Sequence, residues 1–200
     1  MKQTSRKKNT WADHYTRQAK KENFAARSVY KLQEIQKKYS ILSRGARVLD
    51  LGCAPGSWLQ FAARQVGPGG LVVGIDLTPV TIQLPETVTV ITGDVANLEG
   101  HLAELGQARF DAVLSDMAPA TTGNRHVDQA RSLGLCEMAL YIAENHLVPG
   151  GHFVCKIFQS GDTKTFTEAV KSRFQRQNAL RPKSTRKTSR EVFIIGLQKR

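Results

Sequence analysis

The sequence predicts an α/β fold, a doubly wound and mostly parallel sheet, and three observations carry that prediction. Short, uniformly apolar runs recur along the chain, as in ARVLDL (46–51) and LVVGIDL (71–77). Segments with apolar residues at helical spacing separate these runs. Small or acidic residues stand at the ends of the runs, at Gly52, Asp76, Asp94 and Asp116. Strands apolar on both faces need cover on both faces, and parallel strands need crossover helices to join them. A chain of 200 residues is enough for one domain with a real core.

In chain order, FAARSVYKLQEIQKKY (24–39) places Ala25, Val29, Leu32, Ile35 and Tyr39 at helical spacing and predicts an amphipathic helix. ARVLDL is the first strand, running into the turn GCAPGS and then the helical WLQFAARQV. LVVGIDL and VTVITGD (88–94) are the second and third strands, VANLEGHLAELG a helix, and DAVLSD (111–116) the fourth strand. A long helix is expected over 126–147, stopped by Pro149, Gly150 and Gly151, since proline and glycine end helices. HFVCKIF (152–158), a helix near 163–175 and EVFIIGL (191–197) complete the pattern. In such sheets the ligand lies beyond the carboxyl ends of the strands, so the residues just after each strand are the candidates for function.

The charge is unevenly placed. Residues 1–21 hold seven basic residues against one acid, residues 171–200 ten against one, and the body between them twelve against fifteen. Two basic ends on a slightly acidic body attract a polyanion and release its counterions on contact. The first 21 residues therefore read as a basic arm, flexible or in contact with nucleic acid. No apolar run approaches the roughly 18 residues of a membrane helix. Three scattered cysteines offer neither a disulfide framework nor a metal site, which suits a cytoplasmic protein with no metal.

The glycine turn, Asp50-Leu51-Gly52-Cys53-Ala54-Pro55-Gly56-Ser57-Trp58, lets the backbone approach a ligand and opens a helix whose first N–H groups are unpaired. Ala54 stands where a dinucleotide fingerprint needs its middle glycine, and there is no P-loop lysine. Asp76 closes the second strand 20 residues beyond Gly56, where a carboxylate accepts from a ribose diol. Asp94 and Asp116 follow the third and fourth strands. Three carboxylates around one pocket suit S-adenosylmethionine, which carries a diol, an exocyclic amine and positive charge. The plainer reading of Asp94 and Asp116 is that they cap the helices after them. Lys156 is a lysine inside an apolar strand, costly unless it reaches the pocket or a partner. Lys31, mid-helix, reads as a surface lysine.

Together these residues resemble the FtsJ/RrmJ-type ribose 2′-O-methyltransferases of bacterial 23S ribosomal RNA. The matching stretches are RSVYKLQEI (27–35), VLDLGCAPGSW (48–58), SDMAP (115–119), PGGHFVCKIFQ (149–159) and RPKSTRKTSREVF (181–193). Cys53 and Ser57 depart from the small Ala or Gly of the family. The resemblance implies a Rossmann-like, seven-stranded class I fold, with residues 22–200 as one S-adenosylmethionine-dependent methyltransferase domain. It implies that Lys156 is the catalytic base, organised by Lys31, Asp116 and Glu191. Cofactor contacts are implied at Gly52, Gly56, Trp58, Asp76, Asp94 and Asp116. The implied substrate is a uridine 2′-hydroxyl in the peptidyl-transferase region of the large ribosomal subunit, with a monomeric enzyme and neither DNA nor membrane as partner.

An ordinary lysine, with a pKa of about 10.4, is almost wholly protonated at neutral pH. From sequence, Lys156 either takes the hydroxyl proton as an amine or orients the hydroxyl as an ammonium. Trp11 and Tyr15 of the arm either stack on unpaired bases or pack on the body. Two other classes are compatible with parts of the pattern: a non-catalytic RNA-binding assembly factor, and a nicotinamide-dependent oxidoreductase using Asp76 for its ribose.

Overall fold

The computed structural model describes residues 10–106 and 109–200, the side chains of residues 10–13 excepted. Helices α1 (Thr10–Lys21) and α2 (Val29–Tyr39) come first. Then follow β1 (Arg47–Leu51), α3 (Ser57–Val66), β2 (Leu71–Asp76) and β3 (Val88–Thr92). A 3₁₀ turn at Val95–Asn97 leads to α4 (Leu98–Glu104), β4 (Phe110–Ser115) and the long α5 (Arg125–His146). The chain closes with β5 (Leu147–Phe158), α6 (Thr163–Arg173), β6 (Phe174–Leu180) and β7 (Glu191–Lys199).

The seven strands form one sheet in the order β3-β2-β1-β4-β5-β7-β6. Strands β3, β2, β1, β4 and β5 pair in parallel, while β7 runs antiparallel between β5 and β6. From β1 the chain winds outward through β2 and β3, then crosses back to β4 on the other side. The order reverses between β1 and β4, and the crevice above their carboxyl ends is where such a sheet takes a ligand.

Side chains alternate across the strands, which gives the sheet two cores. On one face Val48, Val72, Leu114, Val154, Phe193 and Ile195 meet residues of α2 and α3, including Leu32, Ile35 and Leu59. On the other, Leu49, Val113, Phe153, Cys155 and Ile194 meet α4, α5 and α6. Burying one phenylalanine such as Phe193 stabilises the fold by about 1.5–3 kcal/mol. The same alternation puts Asp50, Lys156 and Glu191 on the α2/α3 face with Val48, Val154 and Phe193.

Several elements depart from the sequence expectation. Helix α2 begins at Val29 rather than near residue 24, because Asn23 turns left-handed (φ 58°) and Phe24 N–H closes back on the Ala19 carbonyl. The Pro149-Gly150-Gly151 signal falls inside β5 rather than after a helix. Helix α5 stops at His146, Leu147 pairs with Phe110, and the register then slips so that Ala112 faces His152. Strand β6, FQRQNAL, is unannounced by sequence because it is an edge strand with mostly polar, partly exposed residues. Within the basic arm, residues 10–21 form α1, and Ala19 and Tyr15 pack against the α2/α3 core. Tyr15 lies 5.2 Å from Tyr30, ring centre to ring centre. The side chain of Trp11 and residues 1–9 lie outside the described residues.

Candidate active site

The glycine turn after β1 is hooked to its neighbour strand: the N–H groups of Gly52 and Cys53 both donate to the Ile75 carbonyl, at 2.9 and 3.3 Å. Gly52 has φ 76°, and a Cβ there would stand 2.6 Å from the Met117 side chain. Gly56 has φ 104° at the N-cap of α3, and a Cβ would stand 2.8 Å from Ile82. Both positions therefore need glycine for conformation and for space. Asp76, at the end of β2, ties the turn from the other side. One carboxylate oxygen accepts from Ala54 N–H (3.0 Å), the other from Thr78 N–H (2.8 Å).

Above the switch point lies a cleft of about 560 Å³, within the range of small-molecule sites. Gly52, Asp76, Asp94 and Asp116 all line it, so the three acids predicted from strand ends share one pocket. Asp94 also caps the 3₁₀ turn, accepting from Ala96 N–H at 2.9 Å, as the plain reading expects of it. Gly56 and Trp58 are not among the lining residues. Trp58 is buried, donates its indole N–H to the Ser28 carbonyl (2.9 Å) and packs on Phe193. Its side chain belongs to the core, while its main-chain N–H sits in the first turn of α3.

The cleft's apolar wall is unannounced in the sequence. Leu77, Val95, Met117, Leu135 and Met138 line it, and Leu77 is 72% exposed, an unusual state for a leucine. The only available signal was position: Leu77 and Val95 directly follow Asp76 and Asp94.

At one end of the cleft four charged side chains converge. Lys156 Nζ lies 2.9 Å from Asp116 Oδ1 and donates to the Asp116 carbonyl at 2.5 Å. Lys31 Nζ lies 2.8 Å from Glu191 Oε1 and 3.8 Å from Asp116 Oδ1. Their side chains are 7–17% exposed, so Lys31 is not the surface lysine its helix suggested. Two basic and two acidic side chains pair with one another, and this makes their burial tolerable. Lys31 also lies 5.6 Å above the Phe193 ring, itself paired in register with Lys156.

Two further residues support the cluster. Glu34, one turn after Lys31, accepts from the N–H groups of Lys183 (2.7 Å) and Ser184 (2.9 Å). Arg27 donates to the Ser184 carbonyl. Together they fasten the 181–190 connection, which ends at Glu191, onto α2. Asp50 is fully buried beneath the turn, and neither of its oxygens has a hydrogen-bond partner among the described residues. Burial, then the charges of Asp116 and Asp76, push its carboxyl well above the usual carboxylate range. Burial, then Asp50 and Asp76, raise the Cys53 thiol. A lone acid inside the apolar run ARVLDL was the sequence signal for Asp50.

A doubly wound sheet, an acid-lined crevice at its switch point and a turn without dinucleotide glycines define a Rossmann-like methyltransferase of class I. The chain belongs to the FtsJ-like methyltransferase family, which matches residues 24–199. It is similar to the Ribosomal RNA large subunit methyltransferase E of Desulforapulum autotrophicum, at 55% identity over 98% of this chain and 97% of that protein. The protein of the same name from Syntrophobacter fumaroxidans is 51% identical over 96% of this chain and 98% of its own. Among solved structures, a Plasmodium falciparum chain described as a ribosomal RNA methyltransferase superposes with a TM-score of 0.77. It is 26% identical, covering 88% of this chain and 98% of its own. Aeropyrum pernix fibrillarin, solved with natively bound S-adenosyl-L-methionine, shares the fold at a TM-score of 0.59 and 17% identity, covering 78% of this chain and 68% of its own. Family membership makes the chain an enzyme of methyl transfer, and the oxidoreductase reading falls.

Proposed function

We propose that the protein transfers a methyl group from S-adenosylmethionine to a ribose 2′-hydroxyl of large-subunit ribosomal RNA, with a uridine of the peptidyl-transferase region as the target. The observation that carries this reading is the convergence of Lys31, Asp116, Lys156 and Glu191 at the mouth of the acid-lined cleft. The curated relatives named for ribosomal RNA methylation supply the substrate class.

The cleft suits the cofactor. A carboxylate offers about four lone-pair sites, and Asp76 uses two of them on Ala54 and Thr78, which leaves acceptors for a ribose diol. Exposed Leu77, with Val95 and Met138, offers apolar surface for a purine. Asp94 would receive an exocyclic amine, and Asp116 and Gly52 the charged amino-acid end, since all three line the cleft. Trp58 contributes through its main-chain N–H in the first turn of α3, and Gly56, whose own N–H donates to the Cys53 carbonyl at 2.8 Å, contributes by closing the turn. S-adenosylmethionine, bound there, supplies an activated methyl group.

The chain's own residues do the rest. In its neutral amine form, Lys156 Nζ would face the acceptor hydroxyl and take its proton as the oxygen attacks, leaving an ammonium held by Asp116. Asp116 fixes that amine from the end of β4, and the Lys31–Glu191 pair fixes the hydroxyl opposite. Holding nucleophile and methyl in line supplies much of the acceleration. The acceptor is reached from the basic side: Arg186, Lys187 and Arg190 are exposed just before Glu191, and draw the phosphate backbone in. Residues 1–21 form the RNA-contacting arm and 22–200 the catalytic domain, acting as a cytoplasmic monomer on the large subunit. The test is transfer of labelled methyl from the cofactor to ribosomal RNA, followed by mapping of the modified nucleotide. Label on a base, on protein or on no RNA at all would overturn the reading, the last in favour of an assembly factor.

A further inference from the structure

Beyond the four-residue cluster, helix α2 and the connection between β6 and β7 enclose a second groove of about 760 Å³. Lys37 and Lys38 form one wall and Arg181 and Lys183 the other, all four exposed, with half-buried Tyr15 at its edge. The carboxylate in the groove, Glu34, spends both oxygens on the N–H groups of Lys183 and Ser184. The guanidinium of Arg181 donates to the carbonyls of Lys187 (3.3 Å) and Ser189 (2.6 Å), which hold the loop without neutralising the charge. Among the described residues no salt bridge involves Lys37, Lys38, Arg181 or Lys183. The groove therefore keeps a net positive charge on walls that are braced in place.

Its position matters as much as its charge. Lys31, Glu34 and Lys38 lie on one face of α2, and Lys38 is two turns, about 10 Å, beyond Lys31. Glu34, which lines the groove, stands one helical turn beyond Lys31 of the proposed reaction site. We propose that it holds the phosphodiester backbone of the RNA strand next to the nucleotide being methylated. This inference rests on the reading of the acceptor as RNA. Compact ammonium groups on flexible stems suit a row of phosphates, which they meet as point charges. The salt dependence of such contacts is diagnostic, since each phosphate neutralised on a single strand contributes about 0.7 to the slope of log K against log salt.

The test is the triple substitution Lys37→Gln, Lys38→Gln, Lys183→Gln in the full chain. Two measurements are made over a salt series: anisotropy of a labelled single-stranded fragment of large-subunit RNA, and methyl transfer to the same RNA. The expected result is RNA affinity weakened tenfold or more, a salt slope lower by about 2, and a loss that falls on KM for RNA rather than on cofactor affinity. Unchanged RNA affinity and slope would overturn the groove while leaving the methyltransferase reading intact. RNA binding through these lysines by a parent protein that methylates no RNA would do the reverse. Defective action on assembled subunits with normal action on naked RNA would also overturn the proposal, pointing to an acidic protein surface instead.

Discussion

Lys31 and Glu191 meet at 2.8 Å although 160 positions separate them in the chain. One stands on the helix that precedes the sheet, the other opens the strand that completes it. Each has 12% of its side chain exposed. Removing one partner of such a pair leaves the other charge stranded, at about 3 kcal/mol when burial is deep. Glu191→Gln should therefore lower both stability and methyl transfer. The double variant Lys31→Met, Glu191→Leu should recover stability in urea unfolding without recovering transfer. Recovery of both would reduce the pair to a structural bolt.

Lys156→Ala should lower transfer by about 10²–10⁴, the range for a positioned acid–base group. Its affinity for S-adenosylmethionine, measured by calorimetry, should stay close to that of the parent. Robust turnover would remove Lys156 from the chemistry.

Asp76→Ala should weaken cofactor binding by about ten- to a hundredfold, the loss of a hydrogen bond to a charged group. The effect should fall on KM for the cofactor more than on kcat. Unchanged calorimetric affinity would exclude Asp76 from the site.

Asp50 makes stability depend on pH. Burial, with Asp116 and Asp76 adding to it, raises its carboxyl above the unfolded value of about 3.9. The folded chain then retains a proton that the unfolded chain releases, so this group's contribution to stability falls as pH rises from about 4 toward the folded value. Asp50→Asn removes that slope. Urea unfolding across pH should show the variant gaining on the parent as pH increases, with the gap narrowing toward pH 4. Parallel curves would mean that Asp50 has found a partner.

Deleting residues 1–9 removes Lys2, Arg6, Lys7 and Lys8 and should reduce the salt slope of RNA binding by up to about 0.7 per cation. Deleting 1–21 also takes Ala19 and Tyr15 out of the core and should lower the unfolding midpoint as well. An unaltered slope in the shorter deletion would leave that segment without a role in binding.

The strands that carry the site were readable because each is a short apolar run with a chemical group at its end. That Asp76, Asp94 and Asp116 line one cleft follows from their places at the ends of neighbouring parallel strands. Other features gave weaker signals. Strand β6 has one neighbour and a polar exposed side, so its sequence lacks the apolar run. Lys31 lies on a helix with further lysines, and its burial depends on where β7 passes. Glu34 reads as an ordinary helix acid, and only the return of the chain at Lys183 and Ser184 makes it a brace.

By itself the sequence determined the parallel sheet, the glycine turn, the acids around it and the basic ends, since these follow from local pattern and composition. Only the tertiary structure decided which charges meet. The antiparallel insertion of β7 beside β5 sets Phe193 opposite Lys156 and brings Glu191 to the sheet edge. The packing of α2 on that same face then lowers Lys31 onto Glu191 and Asp116. Contacts between groups so far apart in sequence depend on strand order and face, and no local window of residues encodes either.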